Sequence, residues 1–323
     1  NIVMNAALTA LMHGRCAEDV TLTALPLAHV YGNVVMNGTL MTGGTLILVS
    51  PFDAAQILAG IADHRATRFE GVPTMYYDLL GSDALRGANL TSLTLCTVGG
   101  QTMPIERMRA VEERFGCPLI ELWGMSEIAG LGTTFPHTGP RTLGSIGIPL
   151  PGIQARTVDL ESRAPVGADI PGELQIRGPI VMRGSLGNPA ATDAVLDVDG
   201  WLSTGDIARI DNDGQIFIVD RSKDVILTSG NNVYPAEIER VIAAHPAVLM
   251  VAVGRDPHPR KGEAPHAYVV LRKGCVAEPG AIIDLCRHTL APYKIPASVS
   301  FVADLPRNST GKILRRALDR TAS

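Results

Sequence analysis

The chain has 323 residues, of which 46% are hydrophobic and 19% charged, and its formal net charge is -4 at pH 7. This balance is typical of a folded globular protein of two or three domains and excludes an intrinsically disordered chain. Because there is no excess of basic residues, the composition does not support binding to nucleic acid or to an anionic membrane.

The first 138 residues alternate strand and helix patterns. The chain begins within a predicted helix, and Asp53 is the predicted N-cap of a helix that buries Ile57, Leu58 and Ile61. A further helix is predicted from Pro104 to Phe115. The predicted strands are short apolar runs at 45–49, which we expect to be buried, and at 68–72, 93–98 and 119–123. This alternation predicts a mainly parallel sheet with helices on both faces.

The pattern changes twice after residue 138. Residues 139–221 are rich in glycine and proline and include a hairpin signal at 211–214, which together predict a small, mostly antiparallel β subdomain. Residues 222–323 predict a separate α+β domain. Its predicted elements are helices at 236–244 and 282–290, strands at 248–253 and 266–271, and a last helix that begins at 313–318. The expected fold class is α/β, and the expected domains are 1–138, 139–221 and 222–323.

Two predicted strands end in segments that suit ligand binding. Gly99, Gly100 and Gln101 follow the third strand, and the segment Gly124–Glu127 follows the fourth. Parallel sheets bind ligands beyond the carboxyl ends of their strands. Either segment alone would be read as an ordinary strand-to-helix turn. Because there are two, and the second contains an acid, we favour a binding site.

The cysteines and histidines do not predict a disulfide framework or a metal cluster. Five cysteines without a Cys-x-x-Cys pair predict reduced thiols in a cytoplasmic protein. The eight histidines show no metal-ligand spacing. The most apolar short run, Ala247 to Val253, is too short to span a bilayer, so an integral membrane protein is not expected.

Five groups of residues resemble motifs of the adenylate-forming superfamily of acyl-CoA synthetases, peptide-synthetase adenylation domains and luciferases. They are 26–32, 98–104, 121–127, 203–206 with 220–235, and 305–313. The resemblance covers essentially the whole chain and is greatest for fatty-acid or aryl-acid CoA ligases. It implies ATP or AMP, Mg²⁺ and coenzyme A as cofactors, and a small-molecule carboxylic acid as substrate. Since Ala28 and His29 replace the aspartate that grips an amino group, we expect a medium or long aliphatic acid or an aryl acid.

The resemblance also implies the roles of individual residues. His29 would lie beside the acyl carboxylate, Glu127 would hold Mg²⁺, and Asp206 would accept hydrogen bonds from both ribose hydroxyls. The implied nucleotide-binding residues are Gly99, Gly100, Gln101, Trp123, Gly124, Met125, Ser126, Asp206 and Arg221. Trp123 replaces the usual tyrosine but keeps a flat face for the adenine. The alternative for Glu127 is a solvated acid at a helix N-terminus.

A mobile C-terminal domain is implied as well. Lys223 matches the hinge position, and Lys312 would bridge the substrate carboxylate and the α-phosphate during adenylation, where a cation offsets the repulsion of two anions. The alternative for Lys312 is a solvated basic helix face, because Arg315 and Arg316 follow it. The residues implied to line the coenzyme A tunnel are Ser229, Gly230 and Asn231.

One family motif is not found in the chain. Relatives carry a Ser/Thr/Gly-rich phosphate loop shortly upstream of the point that matches residue 1, so we expect this chain alone to be inactive or impaired. Two other functions stay open: an acyl-AMP ligase that loads a carrier protein, and a non-catalytic module that binds AMP or an acyl group. The sequence is compatible with a homodimer and does not decide the oligomeric state.

Overall fold

The computed structural model describes residues 1–306 and 313–318, in which the chain divides into two compact units. Unit 1 comprises Asn1–Thr204 and Ala208–Ile218, and unit 2 comprises Gly205–Ile207 and the described residues from Val219 onward. The domain boundaries at 138 and 221 stay predictions. Of the helices described, none has the length and apolar character needed to cross a membrane.

A seven-stranded sheet forms the centre of unit 1. Its strands are β1 (Val20–Thr23), β2 (Thr45–Leu48), β3 (Arg68–Gly71), β4 (Leu95–Val98), β5 (Leu119–Met125), β6 (Gly130–Thr134) and β7 (Ile148–Pro149). The spatial order is β2-β1-β3-β4-β5-β6-β7; the first five strands are parallel, and the last two pairings are antiparallel. The prediction of a mainly parallel sheet is therefore confirmed.

Helices cover both faces of this sheet. They are α1 (Ile2–Met12), α2 (Val30–Met41), α3 (Ala54–Asp63), α4 (Pro73–Gly81) and α5 (Ile105–Phe115). Apolar side chains of α1 and α2 join one buried cluster with β5 and β6, and those of α3, α4 and α5 join a second cluster with β1, β3 and β4. Asp53 caps α3 as predicted, because its carboxylate accepts the Gln56 amide at 2.8 Å. Pro104 is the N-cap of α5, one position earlier than expected.

Strand β2 is not the buried strand that its apolar run predicts. It lies at the edge of the sheet with β1 as its partner, and Leu48 is 49% exposed. An apolar run can belong to a central or an edge strand, and the spatial order of strands decides between the two.

A second sheet of four strands follows in the chain. Its strands are β8 (Gln154–Val158), β9 (Gly172–Arg177), β10 (Leu202–Ile210) and β11 (Ile216–Arg221), and a short helix α6 (Pro189–Asp193) precedes β10. The order is β11-β10-β9-β8, with β8 antiparallel to β9. The predicted turn joins β10 to β11, where Asp211 Oδ1 accepts the amides of Asp213 and Gln215 at 3.0 and 2.8 Å.

Unit 2 has the predicted α+β character. Its elements are β12 (Ile226–Thr228), β13 (Asn231–Val233), α7 (Pro235–Ala243), β14 (Val248–His258), β15 (Gly262–Leu271), α8 (Pro279–Thr289) and β16 (Ser298–Phe301). Four strands follow the order β13-β12-β15-β14, and β16 pairs in parallel with β15. The predicted helix at 313–318 is wrong within the described residues, where Arg315–Ala317 form a single 3-10 turn.

Asn5 of α1 fixes the connection between β5 and β6. Its side-chain amide donates to the carbonyls of Ile128 and Leu131 at 2.8 and 2.7 Å, and its oxygen accepts the Leu131 amide at 3.1 Å. The side chain is fully buried. Since buried backbone groups require partners, this one residue satisfies three groups that water cannot reach.

Asn5→Ala should therefore lower the free energy of unfolding by about 3 kcal/mol, because it leaves buried backbone groups unpaired. Asn37→Ala is the matched control. Its side-chain amide bonds to Asn33 one turn away on α2, and its removal should cost less than about 1 kcal/mol. Urea unfolding of both variants measures the difference, and equal losses would contradict the role of Asn5.

Candidate active site

The predicted site residues of unit 1 lie at one edge of the parallel sheet. Strand β1 pairs in parallel with β3, β3 with β4, and β4 with β5, so the carboxyl ends of all four strands lie at this edge. The segments that follow them carry His29, the turn Gly99–Gln101 and the turn Ser126–Glu127. The fold thus brings together three of the segments that the sequence singled out.

His29 lies at the start of α2 as its N-cap. Its Nδ1 accepts the Tyr31 amide at 3.3 Å, and the imidazole is exposed to solvent. The ring therefore satisfies one amide of the first helical turn and remains accessible at the sheet edge.

The loop Gly99–Met103 lies directly against β5. A Cβ on Gly99 would lie 2.2 Å from the end of the Leu122 side chain and 3.2 Å from the Leu122 carbonyl oxygen, so glycine lets the loop pass close to β5. Gly100 has a φ of +85° and is exposed, as is Gln101. This loop offers a closely packed backbone at its start and accessible groups at its tip.

The end of β5 is equally tight. A Cβ on Gly124 would collide with the Gly130 carbonyl of β6, so this position accepts only glycine. Trp123, in contrast, is only 8% exposed, and its indole packs against Gly132 and Ile128. In this structure Trp123 is a core residue of unit 1, and its contact with adenine stays a prediction.

Ser126 and Glu127 form a 3-10 turn with Ile128. Ser126 is exposed and Glu127 is half-buried, and the Glu127 carbonyl accepts the Met182 amide at 2.7 Å. Within 1–306 and 313–318 no cation or donor pairs with the Glu127 carboxylate, and no three acidic, histidine or cysteine side chains cluster as a metal site. Mg²⁺ needs only one or two protein carboxylates when phosphate oxygens complete its coordination, so the residues present fit this ion.

A buried polar network connects α2 to the end of β4. The Tyr31 hydroxyl and Thr97 Oγ1 lie 2.7 Å apart, and Thr97 donates to Glu70 Oε2 at 2.9 Å. The other Glu70 oxygen pairs with Arg15, and both charged side chains are buried. Burial raises the pKa of Tyr31, which therefore stays protonated. The sequence alone did not predict this network, although an acid inside the run 68–72 is a signal of a paired buried charge.

Glu121 of β5 is a second buried acid that the sequence did not identify as functional. Its side chain accepts the Gly144 amide at 2.8 Å, and the residue is 5% exposed. Desolvation raises the pKa of this carboxyl to about 7, although the hydrogen bond from the Gly144 amide lowers it. Glu121 thus changes charge near neutral pH at the base of the Gly99–Met103 loop.

In unit 2, Asp206 and Arg221 form an ion pair, and their predicted ribose contacts stay predictions. Arg221 Nε lies 2.5 Å from Asp206 Oδ1, on neighbouring strands β10 and β11. The carboxylate is buried, whereas the guanidinium is partly exposed. This charge-assisted contact fixes the direction of the Asp206 carboxylate.

The predicted hinge residue, Lys223, lies in a turn of unit 2 that is hydrogen-bonded to another part of the same unit. Lys223 is the middle residue of the 3-10 turn Ser222–Asp224, its side chain is exposed, and its carbonyl accepts Arg255 Nη2 at 2.6 Å. Lys312 lies outside the described residues.

Arg315 joins this turn to two other elements. Its guanidinium contacts Asp220 at 3.0 Å, Asp224 at 3.3 Å, and both carboxylate oxygens of Glu239 at 3.0 and 2.6 Å. It is only 24% exposed, so the alternative of a solvated basic face does not hold for Arg315. The sequence alone did not predict these contacts, because the partners of Arg315 lie more than 70 residues away in the chain.

The predicted coenzyme A segment is the tip of a hairpin. Strands β12 and β13 pair Thr228 with Asn231, which leaves Ser229 and Gly230 as a two-residue turn with φ values of +49° and +78°. Positive φ at both positions is typical of a type I′ turn. Ser229, Gly230 and Asn231 are all exposed, so the tip is accessible to a ligand.

Family models match both units of the chain. The model described as AMP-binding enzyme matches residues 1–186, and the model described as AMP-binding enzyme C-terminal domain matches residues 237–312. A long-chain-fatty-acid–CoA ligase of Bacillus subtilis (strain 168) is 38% identical over 303 residues, or 94% of this chain and 54% of its own length. A 4-coumarate–CoA ligase-like 6 of Oryza sativa subsp. japonica is 35% identical, over 93% of this chain and 50% of its own.

Solved structures of the same fold are also similar. ATP-bound MatB from Rhodopseudomonas palustris matches with a TM-score of 0.92 and 33% identity, over 98% of this chain and 63% of its own. Bacillus subtilis MenE in complex with an acyl-adenylate matches with a TM-score of 0.86 and 32% identity, over 99% and 64%. The chain spans about half the length of the curated relatives it matches.

Glu121 should make the chain less stable as the pH rises from about 4.5 to about 7. In this range the unfolded chain releases the Glu121 proton while the folded chain retains it, so the free energy of unfolding falls by about 3 kcal/mol. Glu121→Gln does not titrate and should lack this part of the decrease. Urea unfolding of both proteins at about pH 4.5 and pH 8 measures it; the same pH dependence in both would contradict the raised pKa.

Proposed function

The chain belongs to the family of AMP-binding enzymes, and we propose that it serves an ATP-dependent acyl-CoA synthetase, an acid–thiol ligase that releases AMP. The observation that carries the proposal is the convergence of His29, the Gly99 loop and the Ser126–Glu127 turn at one edge of the parallel sheet. Relatives named long-chain-fatty-acid–CoA ligases support it.

The first half-reaction is adenylation. A carboxylate oxygen of the acid attacks the α-phosphorus of ATP, and the bond to pyrophosphate breaks. Phosphoryl chemistry of this kind depends on positioning and on charge neutralisation. We assign Ser126 to the α-phosphate, Glu127 to holding Mg²⁺, and Lys312 to bridging the two anions. The metal, when bound, would neutralise phosphate charge.

The second half-reaction forms the thioester. The sulfur of coenzyme A attacks the carbonyl carbon of the acyl-adenylate, the thiol proton is released, and the bond to the AMP oxygen breaks. We propose that a swing about Lys223 withdraws Lys312 and presents the hairpin tip Ser229–Asn231 to the pantetheine chain. Two observations support this role. The tip is exposed, and Gly230, which has no side chain, adopts a positive φ and leaves its backbone accessible to the pantetheine chain.

We assign the remaining roles around the nucleotide. Asp206, oriented by Arg221, would accept both ribose hydroxyls, and the adenine would lie along Gly99, Gly100 and Gln101. The further predicted adenine contacts are Trp123, Gly124 and Met125. A cytoplasmic location is proposed from the five cysteines, all of which lie in the described ranges and carry free thiols.

The substrate is proposed to be a medium or long aliphatic acid, with an aryl acid as the alternative suggested by the rice relative. A panel of fatty, aryl and amino acids, assayed for AMP release by the full-length protein with ATP and coenzyme A, tests this. We expect AMP release with fatty acids and none with amino acids. Release that does not depend on an added acid, or requires an amino acid, would contradict the proposal.

Lys312→Ala should separate the two half-reactions. Acid-dependent exchange of pyrophosphate into ATP should fall by at least about a hundredfold, because the cation that offsets two anions is lost. Thioester formation from supplied acyl-adenylate should change less than about threefold. The exposed Lys273 of unit 2 provides the control, since Lys273→Ala should affect neither rate. Equal loss of both half-reactions in Lys312→Ala would refute the assigned role.

A further inference from the structure

We propose that Tyr31 is a positioning residue of the active site. Its buried hydroxyl holds the start of α2, which carries His29, against the strand end that leads into the Gly99–Met103 loop. The inference rests on the proposed function, because it takes His29 to lie beside the acid and the loop to receive the adenine. None of the roles assigned to the site residues uses the Tyr31 hydroxyl or the Glu70 carboxylate.

One pair of hydroxyl groups joins the two site segments. His29 is the N-cap of α2, and its Nδ1 accepts the amide of Tyr31 at 3.3 Å. The Tyr31 hydroxyl in turn lies 2.7 Å from Thr97 Oγ1 on β4. Thr97 precedes Gly99, the first residue of the loop, by two positions. The contact between Tyr31 and Thr97 therefore sets the distance between the start of α2 and the start of the loop.

The direction of these hydrogen bonds follows from the protons available. Thr97 has a single hydroxyl proton, which it donates to Glu70 Oε2 at 2.9 Å. The Tyr31 hydroxyl is therefore the donor to Thr97 Oγ1. The other Glu70 oxygen pairs with Arg15. Because each bond polarises the next, a chain that ends on an ion pair is stronger and more directional than two isolated hydroxyls.

The same network also holds the far end of α2. Thr39, in the last turn of this helix, accepts Arg15 Nη1 at 3.0 Å, and Arg15 Nη2 pairs with Glu70. Tyr31 and Thr39 are eight residues apart, which corresponds to about 12 Å along a helix. Two attachment points at this spacing fix the position of α2 along the sheet and its rotation about its own axis. Both determine where His29 lies.

Apolar packing alone does not require these polar groups. Tyr31, Thr97, Glu70 and Arg15 are all buried. Burying an ion pair and two hydroxyls carries a desolvation cost that an apolar set of the same volume avoids. Such exceptions to local rules concentrate at functional sites. The directional attachment of α2 is what the polar groups supply here.

Tyr31→Phe tests the role because it removes one hydroxyl and keeps the ring. In the full-length protein, acid-dependent exchange of pyrophosphate into ATP, expressed per AMP site counted by calorimetry, should fall about tenfold. The reason is that His29 is no longer held against the loop, so the reacting groups lose their alignment. The dissociation constant of AMP should stay within about twofold, because the substitution does not touch the contact of Gly99 with Leu122.

Tyr76→Phe is the matched control. Tyr76 is also buried, and its hydroxyl donates to the Thr97 carbonyl at 2.7 Å and lies 3.2 Å from the Phe69 carbonyl. These acceptors lie in β4 and β3, not in α2, so this variant loses buried hydrogen bonding without releasing the helix. Its exchange rate per AMP site should stay within about twofold of the wild-type rate.

A residue with only a structural role would give a different result. Lower stability reduces the number of AMP sites per chain, but each remaining site keeps the wild-type exchange rate. An unchanged rate per site in Tyr31→Phe, or an equal fall in Tyr76→Phe, overturns the inference alone. A wild-type protein that neither binds AMP nor exchanges pyrophosphate overturns the proposed function together with the inference.

Thr97→Val provides a second variant and keeps the inference testable where Tyr31→Phe does not fold. It removes the hydroxyl to which Tyr31 donates and keeps a side chain of similar shape. The exchange rate per AMP site should fall about tenfold here as well. Since both substitutions break the same hydrogen bond, the double variant should lose less than about threefold more than either single variant. Fully multiplicative losses in the double variant would contradict a shared role.

Discussion

Strand β5 and the loop after β4 approach each other closely at Gly99, where a Cβ would meet the end of the Leu122 side chain at 2.2 Å and the Leu122 carbonyl oxygen at 3.2 Å. The remainder of the unit 1 site depends on this contact. The same strand continues into the tight pairing of Gly124 with β6 and then into the Ser126–Glu127 turn. One strand therefore determines where two of the three site segments lie, and a shift of its register would displace both.

Buried polar groups, rather than apolar packing alone, hold these segments in place. Asn5 binds the connection that follows Glu127, and the network of Tyr31, Thr97 and Glu70 joins α2 to the end of β4. Each bond satisfies a group that would otherwise be buried without a partner, so the arrangement is specified by direction as well as by volume. In unit 2 the same principle applies to the guanidinium of Arg315, which binds the carboxylates on either side of the Lys223 turn.

The sequence predicted those parts of the molecule that depend on neighbouring residues. The cap at Asp53, the turn at Asp211 and the strand–helix alternation are local patterns, and all three are found. It did not predict the edge position of β2 or the partners of Arg315, which depend on contacts between distant parts of the chain. The buried contacts of Asn5 and Glu121 likewise depend on distant residues, since a lone polar residue in an apolar run has no local signal that names its partner. Motif resemblance located the candidate site because it carries information about distant contacts that periodicity lacks.

The central claim is that a carboxylic acid is joined to AMP before it is joined to coenzyme A. Oxygen-18 in the carboxylate distinguishes this route directly, because the attacking oxygen stays on phosphorus when the thiol displaces AMP. Incubation of the full-length protein with labelled fatty acid, ATP and coenzyme A, followed by mass spectrometry of the nucleotide product, is the measurement. We predict AMP that carries one labelled oxygen atom from the acid. Unlabelled AMP formed together with the thioester, or ADP as the nucleotide product, would contradict it.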